Sequence, residues 1–333
     1  MRVLGLNAGG RDSGAALVID GVLVAVAQED RLVRRRVTGG LPRRSVRACL
    51  ERAGISAEQL DAVVMAEKPL LTFERTLALQ LQAFPKSATN FATSMSHWLG
   101  ERLWLKSRIS EGLGIAPQKV EFVEHQRAHA AAAYFTSPFD DAALLCIDDV
   151  GEWATTLLAH GAGDALESLH ELHMPHSLGL WLSAFTQYLG FEAGVDEMRV
   201  EALAHYGTAR FLDQVAATLP EGEDGCFAVD AACFRFSFDD ERLFDAELER
   251  RLGPARLPSS ALRLRDGDSR DADIAASVQR VLELRALALA RRLKQVCASD
   301  VVCLAGEVAR NRGLVARLAA EGPFAHVHVA PAP

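Results

Sequence analysis

Two histidines and a set of carboxylates lie within one short stretch of the sequence, residues 124–156. His125 and His129 are four residues apart in an alanine-rich segment without Gly or Pro, which predicts a helix with both rings on one face. Two neutral imidazoles on one face can chelate a divalent metal. On spacing alone, two histidines that pack, cap or face water are the preferred interpretation, because the pattern supplies two ligands and no third.

An acidic turn follows a buried strand further along the same stretch. Residues 142–147 (AALLCI) form a continuous apolar run, which is typical of a strand buried on both faces. Asp148, Gly151 and Glu152 come directly after it, at a place where α/β proteins often hold a metal or meet a phosphate. An ordinary acidic hairpin turn is the alternative, because Asp and Gly are common turn residues and the next residues resume as a strand.

The start of the chain predicts a second glycine-rich turn. Residues 2–7 form an apolar strand that runs into Ala-Gly-Gly-Arg-Asp-Ser-Gly, and residues 15–27 form two more strands joined by an Asp-Gly hairpin signal. In such a turn, backbone N–H groups can approach a phosphate, and Asp12 and Ser13 are the side chains best placed to join them. A plain glycine loop is the alternative interpretation.

The remaining segments must position these turns, and they alternate between helix and strand patterns. A weak alternation over residues 227–238 also indicates a hairpin. Ser177 is a candidate N-cap for an apolar helix that runs to Leu189. The predicted helices are 43–53, 71–100 with breaks, 102–113, 273–296 and 313–320, and the predicted strands are 60–65, 120–123, 301–305 and 326–329.

Composition excludes several classes of protein. The chain has 333 residues and a net charge of −8, which argues against a nucleic-acid binder that relies on bulk positive charge. No apolar run is long enough for a membrane span, and the first residues lack a signal-peptide pattern. Six scattered cysteines, with Cys146 and Cys303 inside apolar runs, indicate buried free thiols. We therefore expect a cytoplasmic protein without nucleic-acid or membrane partners.

Three motifs together resemble one family. The sequence contains His-x-x-x-His-Ala-Ala-Ala-Ala-Tyr-Phe, then Asp-x-x-Gly-Glu-Trp-Ala-Thr-Thr, then Pro-His-Ser-Leu-Gly from residue 175. This combination resembles the O-carbamoyltransferases of nodulation and antibiotic biosynthesis, whose N-terminal domain is similar to the Kae1 and TsaD proteins. The resemblance implies an α/β protein with the actin/Hsp70/sugar-kinase fold and two subdomains around a nucleotide cleft. We expect subdomains at 1–138 and 139–333, with a variable insertion at about 208–270.

The resemblance also implies ligands. In the family, residues matching His125, His129 and Asp148 bind a divalent metal, usually iron, beside a nucleotide. The positions implied for ATP or carbamoyl-adenylate are Asp12, Ser13, Arg36, Gly151, Glu152, Arg199, Gly306 and Asn311. No residue is assigned to catalysis.

Several positions depart from the family pattern. The family's turn histidine before Asp12 is missing, and a second family histidine is replaced by Val37. Family glycines are replaced by Asp149, Ala202 and Glu307. A carboxylate in a phosphate or adenosine loop is unfavourable unless a cation or a hydrogen bond compensates it.

The resemblance implies transfer of a carbamoyl group from carbamoyl-adenylate, made from carbamoyl phosphate and ATP, to a hydroxyl of a small-molecule acceptor in specialised metabolism. Family members continue beyond the matched part with a further aspartate ligand and a YrdC-like domain that makes the adenylate. The expected partners are therefore a YrdC-like chain, an active carbamoyltransferase or a second copy. The alternative is a degenerate, non-catalytic partner subunit. A tRNA-modifying relative and a sugar kinase fit the motifs less well.

Overall fold

The computed structural model describes residues 1–8, 13–34, 40–222, 225–260 and 269–330. The predicted site residues Asp12 and Arg36, and the departure at Val37, lie outside these ranges. The chain divides into two compact units. Unit 1 comprises Met1–Ala78 and Phe91–Ala128, and unit 2 comprises Leu79–Asn90 and His129–Pro333.

Within the described residues, unit 1 contains one five-stranded mixed sheet in the order β3-β2-β1-β4-β5. The strands β1, β2 and β3 are antiparallel neighbours, whereas β4 and β5 continue the sheet in parallel from β1. The predicted hairpin between β2 and β3 is confirmed, with Asp20 and Gly21 both at positive φ. The strand bounds are β1 Arg2–Asn7, β2 Gly14–Ile19, β3 Val22–Gln28, β4 Ala62–Met65 and β5 Val120–Phe122.

The unit 1 core lies between this sheet and helices α2 and α5. Leu4, Leu17 and Val63 from the sheet are fully buried, and Val46 and Ile109 from the two helices pack in the same cluster. The helix bounds are α1 Glu29–Val33, α2 Arg43–Ala53, α3 Pro69–Gln82, α4 Ala88–Gly100 and α5 Leu105–Leu113. The predicted helix 43–53 is confirmed to the residue, and Gly54 ends it in the left-handed conformation.

A buried carboxylate holds the N-terminus of α2. Both oxygens of Glu29 accept hydrogen bonds, from the backbone N–H of Arg44 (3.1 Å) and from the N–H and hydroxyl of Ser45 (2.7 and 2.8 Å). Burial raises the pKa of Glu29, but these hydrogen bonds outweigh burial and hold that pKa below 4.5. Glu29 therefore satisfies first-turn N–H groups that α2 cannot satisfy itself.

Unit 2 repeats the sheet topology of unit 1. Its five described strands lie in the order β8-β7-β6-β9-β10, so three antiparallel strands are again followed by two parallel ones. The strand bounds are β6 Asp141–Ile147, β7 Ala154–Ala162, β8 Ala165–His173, β9 Val301–Ala305 and β10 His326–Val329. The repeated strand order indicates that both units have the same α/β topology.

The central strand of unit 2, β6, is buried on both faces, as its apolar run predicted. On one face Leu145 and Ile147 join a large cluster with Trp181 and Phe185 of α7. On the other face Leu144 and Cys146 pack against Ala130, Ala133 and Tyr134 of α6. The helix bounds are α6 His125–Phe135, α7 Leu178–Tyr188, α8 Glu197–Ala204, α9 Leu212–Ala216, α10 Ala246–Leu252, α11 Arg270–Val296 and α12 Arg312–Glu321.

Two segments of unit 2 differ from the sequence interpretation. The hairpin predicted at 227–238 is wrong, because only isolated bridges, Glu221 to Phe227 and Phe234 to Phe244, occur there among the described residues. Phe227, Phe234 and Phe236 of that segment are instead buried in the same core cluster as α7. Strand β8 was not predicted. None of the helices in the described ranges combines the length and apolar character that crossing a membrane would require.

Replacing Glu29 with Gln tests the carboxylate cap of α2. We expect Glu29→Gln to lower the free energy of unfolding by about 1–3 kcal/mol at pH 7, because an amide offers one acceptor oxygen in place of two charged ones. Since the pKa of Glu29 is lowered by folding, this contribution is complete above the unfolded-state value and is lost as the pH falls through the folded-state value.

Urea denaturation of both proteins between pH 7 and pH 3 measures the difference. Glu51→Gln, on the exposed face of the same helix, is the control and should cost under about 0.5 kcal/mol. Equal losses for the two variants, or a difference that grows with acid, would show that Glu29 does not cap α2 as a carboxylate.

Candidate metal site

The structure brings His125, His129 and Asp148 together. Helix α6 begins at His125, so its first two turns carry both imidazoles on one face. Asp148 follows β6 directly, and its Oδ2 lies 3.3 Å from Nε2 of His129. One ligand atom from each of the three residues lies within 4.8 Å of the others. The arrangement can hold a divalent metal, since it combines two imidazoles and one carboxylate.

The ring of His125 is oriented by a backbone carbonyl. Its Nδ1 lies 3.2 Å from the carbonyl oxygen of Ala66, which directly follows β4. Because a carbonyl oxygen only accepts, Nδ1 carries the proton in this hydrogen bond, and Nε2 keeps its lone pair. A carbonyl partner of this kind fixes the tautomer and the ring orientation of a metal-binding histidine.

Hydrogen bonds and burial hold Asp148 in one orientation. Its backbone N–H donates to the carbonyl of Thr155 across the β6–β7 turn (3.0 Å). Its Oδ1 accepts the backbone N–H of Glu307 (2.9 Å), which leaves Oδ2 directed toward His129. Asp148 is also buried, with 7% of its surface exposed. A buried carboxylate with one oxygen fixed by the backbone is preorganised to offer the other oxygen as a ligand.

Gly306 makes the hydrogen bond from Glu307 possible. This residue ends β9 at φ +85°, a conformation that glycine adopts without strain. A Cβ atom here would clash with the carbonyl oxygen of Ile147 and lie 3.2 Å from Cβ of Asp148. The glycine therefore allows the strand end to approach the Asp148 turn, which is a positioning role for a residue predicted to meet a nucleotide.

The same turn also packs against the N-terminus of α7. Ser177 is the N-cap, as predicted, because its Oγ accepts the N–H of Leu180 (3.0 Å). Its hydroxyl donates to the carbonyl of Asp149 (2.5 Å). A Cβ atom on Gly179 would lie 2.7 Å from the carbonyl oxygen of Asp148. The Pro-His-Ser-Leu-Gly motif thus helps to hold the acidic turn in place.

A small pocket of unit 2 adjoins the acidic turn, between α8 and the start of α12. Asn311 lines it and caps α12, since its Oδ1 accepts the N–H of Leu314 (2.8 Å). The amide of Asn311 also exchanges two hydrogen bonds with Gln279 (2.8 and 2.9 Å). Glu201 accepts the N–H of Gly313 (2.7 Å). Two side chains of the protein therefore occupy the N-terminus of α12.

The pocket lining is acidic. The carboxylates of Asp149, Glu197, Glu201 and Glu307 line it, against one cation, Arg310, which pairs with Glu307 at 2.9 Å. A phosphate does not fit this lining, because four carboxylates face one paired guanidinium and Glu201 already holds an N–H of α12.

The structure also describes the surroundings of the other predicted nucleotide residues. Ser13 is 2% exposed, and its hydroxyl has no hydrogen-bond partner among the described residues. Gly151 and Glu152 are buried in the acidic turn, where the N–H of Gly151 donates to the carbonyl of Ala154 (2.9 Å). The side chain of Arg199 is 66% exposed and pairs with Asp196 at 3.2 Å. Their nucleotide roles stay predictions.

Comparison with known sequences shows the family to which this chain belongs. The model of the Carbamoyltransferase N-terminus family matches residues 2–333. This chain belongs to that family. It is 40% identical to an uncharacterized protein of Synechocystis over 99% of this chain and 54% of that protein. It is 30% identical to the nodulation protein NolNO of Sinorhizobium fredii, over 96% of this chain and 44% of that protein. The chain spans about half the length of the curated relatives it matches.

Comparison with solved structures supports the fold. The (R)-2-hydroxyglutaryl-CoA dehydratase component A of Acidaminococcus fermentans superposes with a TM-score of 0.51 at 16% identity, over 99% of this chain and 92% of that one. Its low identity makes this a likeness of fold alone. The duplicated mixed sheets and this likeness confirm the predicted actin/Hsp70/sugar-kinase fold with two α/β subdomains.

Replacing Gly306 with Ala tests how Asp148 is positioned. We expect Gly306→Ala to lower the free energy of unfolding by about 3 kcal/mol or more, because its Cβ meets backbone atoms at a positive φ. Gly163 is a matched control, since it also has positive φ (+56°) but has open space around a Cβ.

Thermal and urea denaturation of both variants measure the costs. Gly163→Ala should cost only about 1–2 kcal/mol, the price of the left-handed conformation alone. Similar costs at the two positions would contradict a specific packing role for Gly306 against Ile147 and Asp148.

Proposed function

We propose that this chain is the Kae1-like part of a carbamoyltransferase that transfers a carbamoyl group to a hydroxyl of a small-molecule acceptor in specialised metabolism. The Carbamoyltransferase N-terminus family supports carbamoyl transfer as the reaction class. The observation that carries the proposal is the cluster of His125, His129 and Asp148, which an ordinary structural turn does not require.

The donor set fits a resident divalent metal. Nε2 of His125, Nε2 of His129 and Oδ2 of Asp148 would hold it. The carbonyl of Ala66 orients His125, and the N–H of Glu307 orients Asp148. Two imidazoles and one carboxylate are typical of iron(II) sites with open coordination positions, so Fe²⁺ is the proposed metal. Such a metal acts as a Lewis acid that polarises a carbamoyl carbonyl.

Contacts within the chain fix the orientation of the Asp148 side chain. Asp148 cannot turn away, because Oδ1 is fixed to the N–H of Glu307 and its backbone is fixed to Thr155. A ligand set fixed in this way would let an acceptor hydroxyl approach the carbamoyl carbon without reorganisation of these side chains. As the hydroxyl oxygen bonds to the carbamoyl carbon, the bond from that carbon to the phosphate oxygen of carbamoyl-adenylate breaks and AMP leaves, while a general base takes the hydroxyl proton.

The proposed donor is carbamoyl-adenylate, by resemblance to the family. Because the acidic pocket beside Asp149 does not fit a phosphate, we derive no phosphate contact from it. Its carboxylates would instead accept hydrogen bonds from ribose hydroxyls, with Glu201 and Glu307 as the candidates. The adenylate would be made on a YrdC-like domain, on this protein or on a cytoplasmic partner chain; a homodimer is a further arrangement to test.

One observation favours a second function. Asp149 and Glu307 stand where the family has glycine, and Glu201 holds the N-terminus of α12 with a negative charge. These carboxylates would weaken binding of an anionic nucleotide, as in a non-catalytic subunit that keeps the fold and assists an active carbamoyltransferase. Metal binding and turnover separate the two functions.

Metal content tests the site directly. We expect the protein to take up about one Fe²⁺ or Zn²⁺ per chain. His125→Ala, His129→Ala and Asp148→Asn should each lower the metal affinity at least about tenfold, because each removes one of three ligands. Anaerobic metal titration and elemental analysis after dialysis measure the effect. His173→Ala is the control, since His173 is a half-exposed histidine of β8 paired with Glu171.

Turnover decides between the two functions. A single-turnover assay supplies carbamoyl-adenylate, or carbamoyl phosphate and ATP with a YrdC-like protein, and a hydroxyl acceptor. Metal-dependent transfer that is lost in His129→Ala supports the enzyme. Bound metal without transfer under any of these conditions favours the non-catalytic subunit. Metal affinity that is equal in wild type and all three variants contradicts the metal site and, with it, the proposed enzyme.

A further inference from the structure

A second cavity lies wholly within unit 1, lined by none of the proposed metal ligands. Its volume is about 410 Å³, within the range of small-molecule sites. Its lining residues come from the start of α2, the end of α4 and α5, and from the segments next to them. Leu41, Leu105 and Ile109 are the large apolar residues of the lining. A cavity of this size with apolar residues in its lining suits an organic molecule better than a bare ion.

The cavity lining is also rich in cations. Arg43, Arg102 and Arg108 line it together with His97. Arg102 donates to both oxygens of Glu67 (2.6 and 2.7 Å) and lies over the ring of Trp98. These two contacts hold the Arg102 guanidinium in one place, so it is a fixed positive charge.

The carboxylates near the cavity do not cancel this charge. Arg108 forms an ion pair at 3.3 Å with Glu101, the carboxylate that lines the cavity, and Arg102 forms an ion pair with Glu67. Arg43 is exposed and makes no side-chain hydrogen bond or ion pair with any described residue. Three guanidinium groups thus face two carboxylates, and the guanidinium of Arg43 has all its donors available to a ligand.

The N–H groups of α2 do not contribute to this site. Glu29 already accepts the N–H groups of Arg44 and Ser45, so the helix N-terminus is occupied by a carboxylate of the protein. An anion in the cavity therefore cannot use these two N–H groups, and the arginine side chains of the lining are its candidate partners. Arg43, at the first position of the helix, is the side chain that reaches the cavity with its charge uncompensated.

We propose that this cavity binds a small organic anion, with its phosphate or carboxylate on Arg43 and its apolar part on Leu105 and Ile109. Guanidinium binds both groups through paired hydrogen bonds, so phosphate and carboxylate share one recognition chemistry. The proposal does not depend on the metal site or on carbamoyl transfer, because the cavity and its charges belong to unit 1 alone.

Calorimetry with phenyl phosphate and benzoate tests the site on the whole chain. We expect phenyl phosphate or benzoate to bind with about one site per chain. The affinity for the probe that binds should be at least about fivefold higher than the affinity for inorganic phosphate, because the probe also contacts the apolar lining residues. Phenol, which lacks the anion, should not bind. The preferred probe of the two distinguishes a phosphate ligand from a carboxylate ligand.

Variants locate the binding. Arg43→Gln should weaken the preferred probe at least about tenfold, since it removes a charged pair of donors. Arg47→Gln is the matched control, because Arg47 is an exposed arginine of the same helix that does not line the cavity; it should change the affinity less than about twofold. His129→Ala should bind the probe like wild type, which separates this site from the metal site.

Three outcomes would overturn the proposal. The first is no binding of either organic anion at millimolar concentration. The second is an equal loss in Arg43→Gln and Arg47→Gln, which would indicate general surface charge. The third is loss of binding in His129→Ala with no change in Arg43→Gln, which would place the anion at the metal site instead.

Discussion

The candidate site depends on one buried carboxylate with two different tasks. Oδ1 of Asp148 joins the end of β6 to the residue after β9, through the N–H of Glu307, while Oδ2 faces His129. The approach of the two strand ends requires Gly306, and Ser177 and Gly179 also contact the acidic turn. The hydrogen bond that joins the ends of β6 and β9 therefore also orients Oδ2 of Asp148 toward His129.

The sequence predicted the fold best where burial is complete. β6 was predicted correctly because it is buried on both faces, against α6 on one side and α7 on the other. β8 was missed because it is an edge strand whose exposed residues, such as Glu167 and Glu171, interrupt the apolar pattern. The hairpin at 227–238 was wrong because its aromatic residues alternate to pack on the α7 core, not to face a neighbouring strand.

The site was predictable in its residue types but not in its contacts. The spacing of His125 and His129 left their role open, and only the position of α6 beside the end of β6 brings Asp148 to them. The contact of Glu201 with Gly313 joins residues 112 positions apart, so no local pattern reveals it. Asn311 was predicted as a nucleotide contact, yet its oxygen caps α12 and its amide pairs with Gln279, which leaves little capacity for a ligand.

In two helices of this protein, a carboxylate side chain accepts the N-terminal N–H groups that could otherwise bind an anion. Glu29 occupies the N-terminus of α2 in unit 1, and Glu201 occupies that of α12 in unit 2. A helix N-terminus holds anions because its first N–H groups lack partners. Once a carboxylate accepts them, the attraction for a phosphate becomes repulsion. Anion recognition in these two regions must then rest on cations brought by side chains, and unit 1 has such cations beside α2, whereas the pocket at α12 has one arginine already paired with Glu307.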